Sequence, residues 1–237
     1  METLQGIISR SINNADKMFD SLAYTTTSAA NYNTVAFKAQ RFENYMTGYG
    51  RIDGTIRTNQ KQGVLMATNQ PLDIAVDGPG YIPVTGKDGQ VSYTRDGAFK
   101  LSNEGYLTTS DGCLVGDGIK IPGEYYRLKI SGDGVVSCVK NRDEDTEILG
   151  KIPLVRFRNP EDLQSIEGNK FIPCQASGQP YIVKDHLCLK QGNLERSNVN
   201  LPDLVQDVLR LNGSVIASTR MIKVTDDLYR QAINLKQ

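Results

Sequence analysis

The sequence has no surplus of charge of either sign: 27 Lys and Arg residues are balanced by 27 Asp and Glu. A balanced chain presents no broad positive field, which argues against nucleic acid or an anionic membrane surface as a partner. No apolar run is long enough to cross a bilayer, so direct membrane insertion is not expected. The opening residues, METLQGIISRSINNADKMF, lack a basic start followed by a continuous apolar stretch, so no cleaved secretory signal is expected. Histidine occurs once, as His186, and the four cysteines, Cys113, Cys138, Cys174 and Cys188, form no CxxC pair. Zinc sites draw on close ligand pairs, so no metal is expected. The cysteines read as small buried apolar residues, with a disulfide left open.

Catalytic patterns are equally sparse. GYGRIDG holds a GxG, but no GxGxxG follows and no P-loop Gly-Lys-Ser/Thr occurs, so no nucleotide cofactor is expected. The repeated Asp-Gly pairs stand one to a turn, whereas a calcium loop needs several oxygen ligands together. Asp73 and Asp77 are the best carboxylate pair for hydrolysis, yet they flank a strand and run into a turn, Asp77-Gly-Pro-Gly80. His186 as a base for Cys188 lacks any accompanying nucleophile motif. The run from Arg142 to Glu147 reads as a solvated loop. Nothing here makes a catalytic site, and the expectation is a protein that is not an enzyme and holds no cofactor.

Periodicity is what the sequence does have. Leu201, Val208, Val215, Ile222 and Tyr229 recur every seven residues, with Leu204 and Leu211 three further on and Val205 and Ile233 four further on. That spacing puts a stripe on one helix face, close to a coiled-coil seam. Pro202 and Asp203 suit a first turn after a cap at Asn200. Ser218, Thr219 and Thr225 weaken the stripe, and Gly213 costs roughly 1 kcal/mol relative to Ala, so the helix needs a partner. At the other end, Ile8, Ala15, Leu22 and Ala29 repeat at seven, joined by Leu4, Met18, Ile12 and Phe19. The two helices can pair antiparallel, or each can pack onto the middle of the chain.

That middle reads as β. Asp88-Gly89, Asp96-Gly97, Glu104-Gly105, Asp111-Gly112 and Asp117-Gly118 punctuate short runs such as Val91–Thr94 and Ala98–Ser102. Asp-Gly supplies the left-handed backbone of tight hairpins, and the even spacing indicates a meander of antiparallel strands. A second set follows in YRLKISGDGVVSCVK, KIPLVRF, KFIPC and QPYIVK. The expected class is α+β: an antiparallel coiled coil of the terminal helices, residues 1–38 and 198–237, around an inserted antiparallel β-rich domain, 71–197. Residues 39–70, loosened by Gly48, Gly50 and Gly54, are expected to be a connector.

Between the first helix and that connector stands NYNTVAFK. It resembles the Asn-x-x-Thr-x-Gly-Phe-Lys signature that ends the N-terminal helix in axial proteins of the bacterial flagellum, the rod and hook family. Asn31 or Asn33, Thr34, Phe37 and Lys38 match, and Ala36 stands where the family has Gly. NQPLDIAVDGPGYIPV with YTRDGAFKLSNEGYLTTSDGCLV is similar to the family's first β segment, and LKQGNLERSNVNLPDLVQDVL with MIKVTDDLYRQAINL to its C-terminal helix and lead-in. The chain departs at Asn212-Gly213, often Gln-Arg in the family, and at Val215 to Ala217, where an aromatic is common. FRNPEDLQSIEGNKFIPCQASGQP resembles the distal rod type, while the short connector is nearer the proximal rod paralogue.

The resemblance implies a structural subunit of the basal-body rod: a homo-oligomer stacked into a hollow helical tube, terminal helices innermost, transmitting torque and conducting exported subunits. Its implied partners are other rod and hook proteins and the export apparatus, and its implied place is the periplasmic rod, reached without a cleaved signal. The helix seams would then carry assembly. Asn31, Asn33 and Thr34 would end the inner helix, Phe37 would anchor the exit against the C-terminal helix, and Lys38 would meet the last helix carbonyls. Two other classes remain beside this one: a periplasmic hydrolase with a β core, which needs a polar pocket with converging titratable groups, and a monomeric β-rich binding module whose helices cover its sheet.

Overall fold

The N-terminal periodicity produces helix α1 (Leu4–Ala30) and the C-terminal one helix α2 (Leu201–Asn234) in a computed structural model that describes residues 4–48, 51–140, 146–182 and 188–234. Near its end α1 is rich in threonine. The hydroxyls of Thr25, Thr26 and Thr27 bond back to the carbonyls of Ser21, Leu22 and Ala23, which satisfies them but weakens the case for further helix. Helix α2 begins on Asn200, whose carbonyl accepts from Leu204 N–H at 3.0 Å while its side-chain amide donates to Asp203 at 2.9 Å. Asn200 thus sits at the cap position, its side chain bonding to Asp203. The helix runs through Gly213 unbroken.

The chain forms two compact units: one of 1–32, 40–57 and 199–237, the other of 33–39 and 58–198. In the first, the segment expected as a connector supplies a hairpin, β1 (Gln40–Met46) with β2 (Ile52–Thr58), which groups with the helices. The cause is a set of specific contacts. Phe42 stacks on Tyr24 of α1 with ring centres 5.9 Å apart, Asn13 accepts from the Ile52 N–H at 2.8 Å, and Ser28 and the Gln40 backbone exchange hydrogen bonds. The two helices contact each other, and Asn14 Nδ2 donates to Ser218 Oγ at 3.1 Å.

The second unit is β throughout. Its strands are β3 (Leu65–Ala67), β4 (Ile74–Val76), β5 (Ile82–Thr85), β6 (Val91–Thr94), β7 (Lys100–Leu101), β8 (Leu107–Thr108), β9 (Leu114–Val115), β10 (Arg127–Ile130) and β11 (Val135–Val139). There follow β12 (Glu147–Lys151), β13 (Val155–Arg156), β14 (Gln164–Ile166), β15 (Lys170–Ile172), β16 (Tyr181–Ile182), β17 (Leu189–Gln191) and β18 (Asn193–Glu195). Seven form one sheet in the order β14-β15-β6-β5-β9-β8-β7, three form β10-β11-β12, and β13-β16, β17-β4 and β18-β3 pair off. All pairings with a recorded register are antiparallel. Alternation sets the inward faces: in β10, Leu128 and Ile130 are buried while Arg127 and Lys129 face out, opposite Cys138 and Val136 of β11. One core gathers Ile74, Ile82, Val84, Leu107, Val115 and Ile152 among others; a smaller aromatic one joins Tyr81, Tyr93, Phe157 and Phe171.

Four of the five expected Asp/Glu-Gly turns place Gly89, Gly105, Gly112 and Gly118 at positive φ. Gly97 differs. It is needed for closeness, because a Cβ there would fall 1.6 Å from the Ile74 carbonyl oxygen, and its own carbonyl accepts from Ile74 N–H at 3.0 Å. The expected strand Ala98–Ser102 is correspondingly cut to Lys100–Leu101. Of the cysteines, all four free, Cys113 and Cys138 are buried as expected, but Cys174 is half-buried and Cys188 exposed.

Gly213 offers a direct test of how α2 is held. A methyl there would meet open space. Gly213→Ala should therefore raise α2 helicity, read by circular dichroism, and stabilise it by about 1 kcal/mol. An unchanged or lowered helicity would show that this position is set by something other than propensity.

Candidate assembly surface and hinge site

Helix α2 buries Leu211, Ser218 and Thr225, one heptad apart, and α1 buries Ser21 and Ser28 with the same spacing. These positions carry mostly small hydroxyl side chains. Thr225 satisfies its hydroxyl on the Met221 carbonyl, but Asn14 Oδ1 is buried with no partner among the described residues. The expected seam residues divide. Ile8, Met18, Leu22, Leu204, Val208, Val215 and Ile222 are half-buried, Leu211 is buried, and Leu201 and Tyr229 are exposed. The side chain of Leu4 lies outside the described residues, as does that of Ile233.

The larger apolar side chains instead face outward. On α1, Ile12 and Phe19, one heptad apart, are 54% and 57% exposed. On α2, Leu201, Val205, Leu209 and Ile216 share one face, and Met221, Val224 and Leu228 share another; Leu209 is 67% exposed. Covering a side chain of this size is worth about 1.5–3 kcal/mol.

The residues after α1 follow a different logic. Asn31 closes the helix, its backbone and side-chain N–H groups both donating to Thr27 O, at 3.2 and 2.9 Å. From Asn33 onward the segment belongs to the β unit. Ala36, standing where the related signature has Gly, keeps the left-handed backbone a glycine would favour, at φ 56°. Its N–H donates to Glu195 O at 2.8 Å, and Asn169 Nδ2 donates to Val35 O at 2.9 Å. Asn33 accepts from Arg196, Phe37 N–H donates to Thr34 O, and Asn198 N–H donates to Phe37 O while its side chain accepts from Ala39 N–H. Phe37 is buried and belongs to the segment 33–39 of the β unit.

Lys38 corrects the expectation most sharply. Its ammonium does not meet helix carbonyls. It donates to Glu195 Oε1 at 2.6 Å and to Lys61 O at 2.7 Å, fully buried. A buried ammonium needs a counter-charge, and Glu195, itself 0% exposed, supplies it. Glu195 also accepts from Gly63 N–H at 2.8 Å and from Arg95 Nη1 at 2.8 Å. Gly63 has to be glycine here, since a Cβ would lie 2.0 Å from the Arg196 carbonyl oxygen. Arg95 Nη2 donates to Gly78 O, and its guanidinium carbon sits 5.5 Å from the Tyr81 ring centre. One carboxylate thus holds two buried cations, and an aromatic face shares the second.

Burial pushes the Lys38 ammonium below its ordinary value, against the opposing pull of Glu195. Burial likewise pushes the Tyr81 phenol up to about 12; its hydroxyl donates to Gln60 Oε1 at 2.8 Å. Sequence reasoning singled out Lys38 and missed Glu195, Arg95 and Asn198. Both acidic and basic partners lie inside stretches quoted for the family resemblance, but nothing in a single sequence marks a charge as buried.

Asp77 is taken up by Lys190 at 2.7 Å and by Gln62, and the Lys190 hydrogen bond holds its carboxyl below the usual range. Asp73 bridges to Ala98. His186 and residues 142–145 lie outside the described residues. A shallow cleft lined by Asn69, Pro71, Tyr125, Tyr126, Arg127 and Gln191 contains no carboxylate, cysteine or histidine among its lining residues.

Comparison with known proteins gives a consistent answer. A family model described as "Flagellar hook protein FlgE/F/G D1 domain" matches residues 75–138. The chain is 33% identical over 199 residues to the flagellar basal-body rod protein FlgG of Bacillus subtilis (strain 168), covering 80% of this chain and 75% of that one. It is 28% identical over 236 residues to FlgG of Caulobacter vibrioides, covering 87% and 90%. It is 27% identical over 241 residues to the flagellar basal-body rod protein FlgF of Buchnera aphidicola subsp. Schizaphis graminum, covering 97% and 90%.

Two outcomes test the hinge site. Glu195→Gln keeps the shape but leaves Lys38 and Arg95 without their carboxylate, and should cost about 3–5 kcal/mol in urea unfolding; a loss under about 1 kcal/mol would contradict the buried arrangement. For Tyr81, the raised folded-state value means its contribution is complete below pH 10 and is lost as pH climbs through about 12. Relative to Tyr81→Phe, the native chain should lose stability across that alkaline window, and a parallel pH dependence of the two would contradict it.

Proposed function

The chain belongs to the flagellar basal-body rod protein family, and from that premise we propose that it is a structural, non-enzymatic subunit that assembles with copies of itself into a hollow helical drive shaft. In this reading the shaft transmits torque and conducts exported subunits, and lies in the periplasmic part of the basal body. The terminal helices form an antiparallel coiled coil at its inner wall. Neighbours along the shaft are other rod and hook proteins, and delivery is by the flagellar export apparatus.

The observation that carries this reading is the outward apolar surface of α1 and α2. A pair of helices serving only its own chain would turn those side chains inward and leave its hydroxyls in water. Other copies of the same helices offer matching apolar faces, and their burial would offset the ordering of both chain ends. The antiparallel direction is supported by two contacts. Asn14, in the middle part of α1, bonds to Ser218, midway along α2, while Arg41 of β1, next to the Gln40 that bonds Ser28 near the end of α1, pairs at 3.6 Å with Asp207 near the start of α2. The distal rod type is favoured by the stretch 157–180 and the proximal one by the short connector of residues 39–70; we favour the distal type.

The same exposure selects the test. Val208 and Ile222 are half-buried, so an acid there would disturb the helix pair itself. Phe19→Asp and Leu209→Asp should leave the far-ultraviolet circular dichroism and the β unit unchanged and abolish tube formation, seen by electron microscopy and sedimentation. Tubes of native yield from either variant would overturn the proposal.

A further inference from the structure

Away from the helices, the turn between β8 and β9 holds a thiol beside an amine. Cys113 Sγ is buried, and Lys170 Nζ at the start of β15 lies 3.6 Å from it. Lys170 also ion-pairs with Asp111, whose other carboxylate oxygen accepts from Thr109 Oγ at 2.5 Å, and Cys113 Sγ lies 3.8 Å from Asp111 Oδ2. The turn is held by Thr109 as well: its hydroxyl accepts from Cys113 N–H at 3.0 Å, and its own N–H donates to Cys113 O at 2.9 Å. The thiol is largely covered, while the Asp111 side chain is 41% exposed, so a small oxidant has an approach along the carboxylate.

The geometry points to an oxidative modification site in which a peroxide converts Cys113 and Lys170 into a covalent sulfur–nitrogen cross-link. In the first step the Cys113 sulfur attacks one oxygen of hydrogen peroxide. The S–O bond forms, the O–O bond breaks, and the departing hydroxide takes the thiol proton as water, leaving a sulfenic acid. In the second, the Lys170 ammonium loses one proton to solvent. The freed amine attacks the sulfur, the S–O bond breaks, and the leaving hydroxide removes a further proton from nitrogen as water. The sulfur is oxidised, the peroxide is reduced, and two waters are released per cross-link. Condensation of a sulfenic acid with a nearby nitrogen is a known branch of thiol oxidation.

The link would join strands that are not neighbours, since β6 and β5 separate β15 from β9 in the sheet. It would pin the β14–β15 hairpin to the β8–β9 turn. The hydrogen bond that the Lys170 ammonium donates to Asp111 holds it above its ordinary value, so the second step should accelerate as pH rises. The site does not depend on assembly.

The test uses the full chain carrying Cys174→Ser and Cys188→Ser, which removes the less buried thiols. After hydrogen peroxide at neutral and mildly alkaline pH, proteolysis and mass spectrometry should find a peptide joining Cys113 to Lys170. It should be roughly 2 Da lighter than the sum of its reduced parts. It should be more abundant at alkaline pH and absent after dithiothreitol. Adding Lys170→Arg keeps a cation beside the sulfur but removes the amine; it should give a Cys113 sulfenic acid that dimedone traps, and no linked peptide. Cys113 that stays reduced, or stops at sulfenic or sulfinic acid with Lys170 unmodified, overturns the proposal. So does a linked peptide heavier by one oxygen, which would place an oxygen between sulfur and nitrogen.

Discussion

The two terminal helices meet with Asn14 bonded to Ser218 between them and with small hydroxyl side chains among their most buried positions, and the behaviour of both chain ends depends on that contact. Ser218 and Thr225 sit inside, while Phe19, Leu209 and Val224 sit outside. A hydroxyl seam permits close approach but contributes little transfer free energy, because each buried hydroxyl must first be satisfied by its own helix or by its partner. The chain therefore carries two long helices whose apolar surface is largely unspent. In the proposed assembly, that surplus would supply the cohesion between copies.

The β unit is organised the opposite way. It closes its own core, and it buries its charges, whereas the ion pairs on the helices stay partly exposed. Glu195, at the end of β18, holds Lys38 from the segment after α1 and Arg95 from the turn after β6. The carboxylate thereby gathers residues far apart in sequence, including the two stretches that border α1 and α2. Two cations around one anion is costly to bury, and the Tyr81 face together with the Gly78 and Lys61 carbonyls offsets part of that cost. Burial of such a cluster specifies one arrangement of the strand ends, since any slip would strand a charge.

Much of this was legible in the sequence. Heptad spacing gave both helices, and Asp-Gly punctuation gave the meander. The hairpin of 40–58 was hidden because its glycines read as looseness, whereas Gly48 lies in the turn region and Gly54 lets the Phe42 ring cross the strand pair. Gly97 read as a turn because its Asp-Gly spelling does not distinguish left-handed backbone from close approach. The helix stripe was seen, but not which residues of it face the partner helix; periodicity gives a face and says nothing of what covers it. Lys38 stood out by its place in a motif, while its partner Glu195 did not, because burial of a charge is a tertiary property.

The account's central claim is that the helices are marginal in a lone chain and are completed by other copies. Hydrogen exchange followed by mass spectrometry on the unassembled protein reads this directly, peptide by peptide. Amides of α1 and α2 should exchange far faster than those of β5, β6 and β11, and should become protected when the protein is assembled. Helix amides as slow as the β core in the lone chain would contradict the claim.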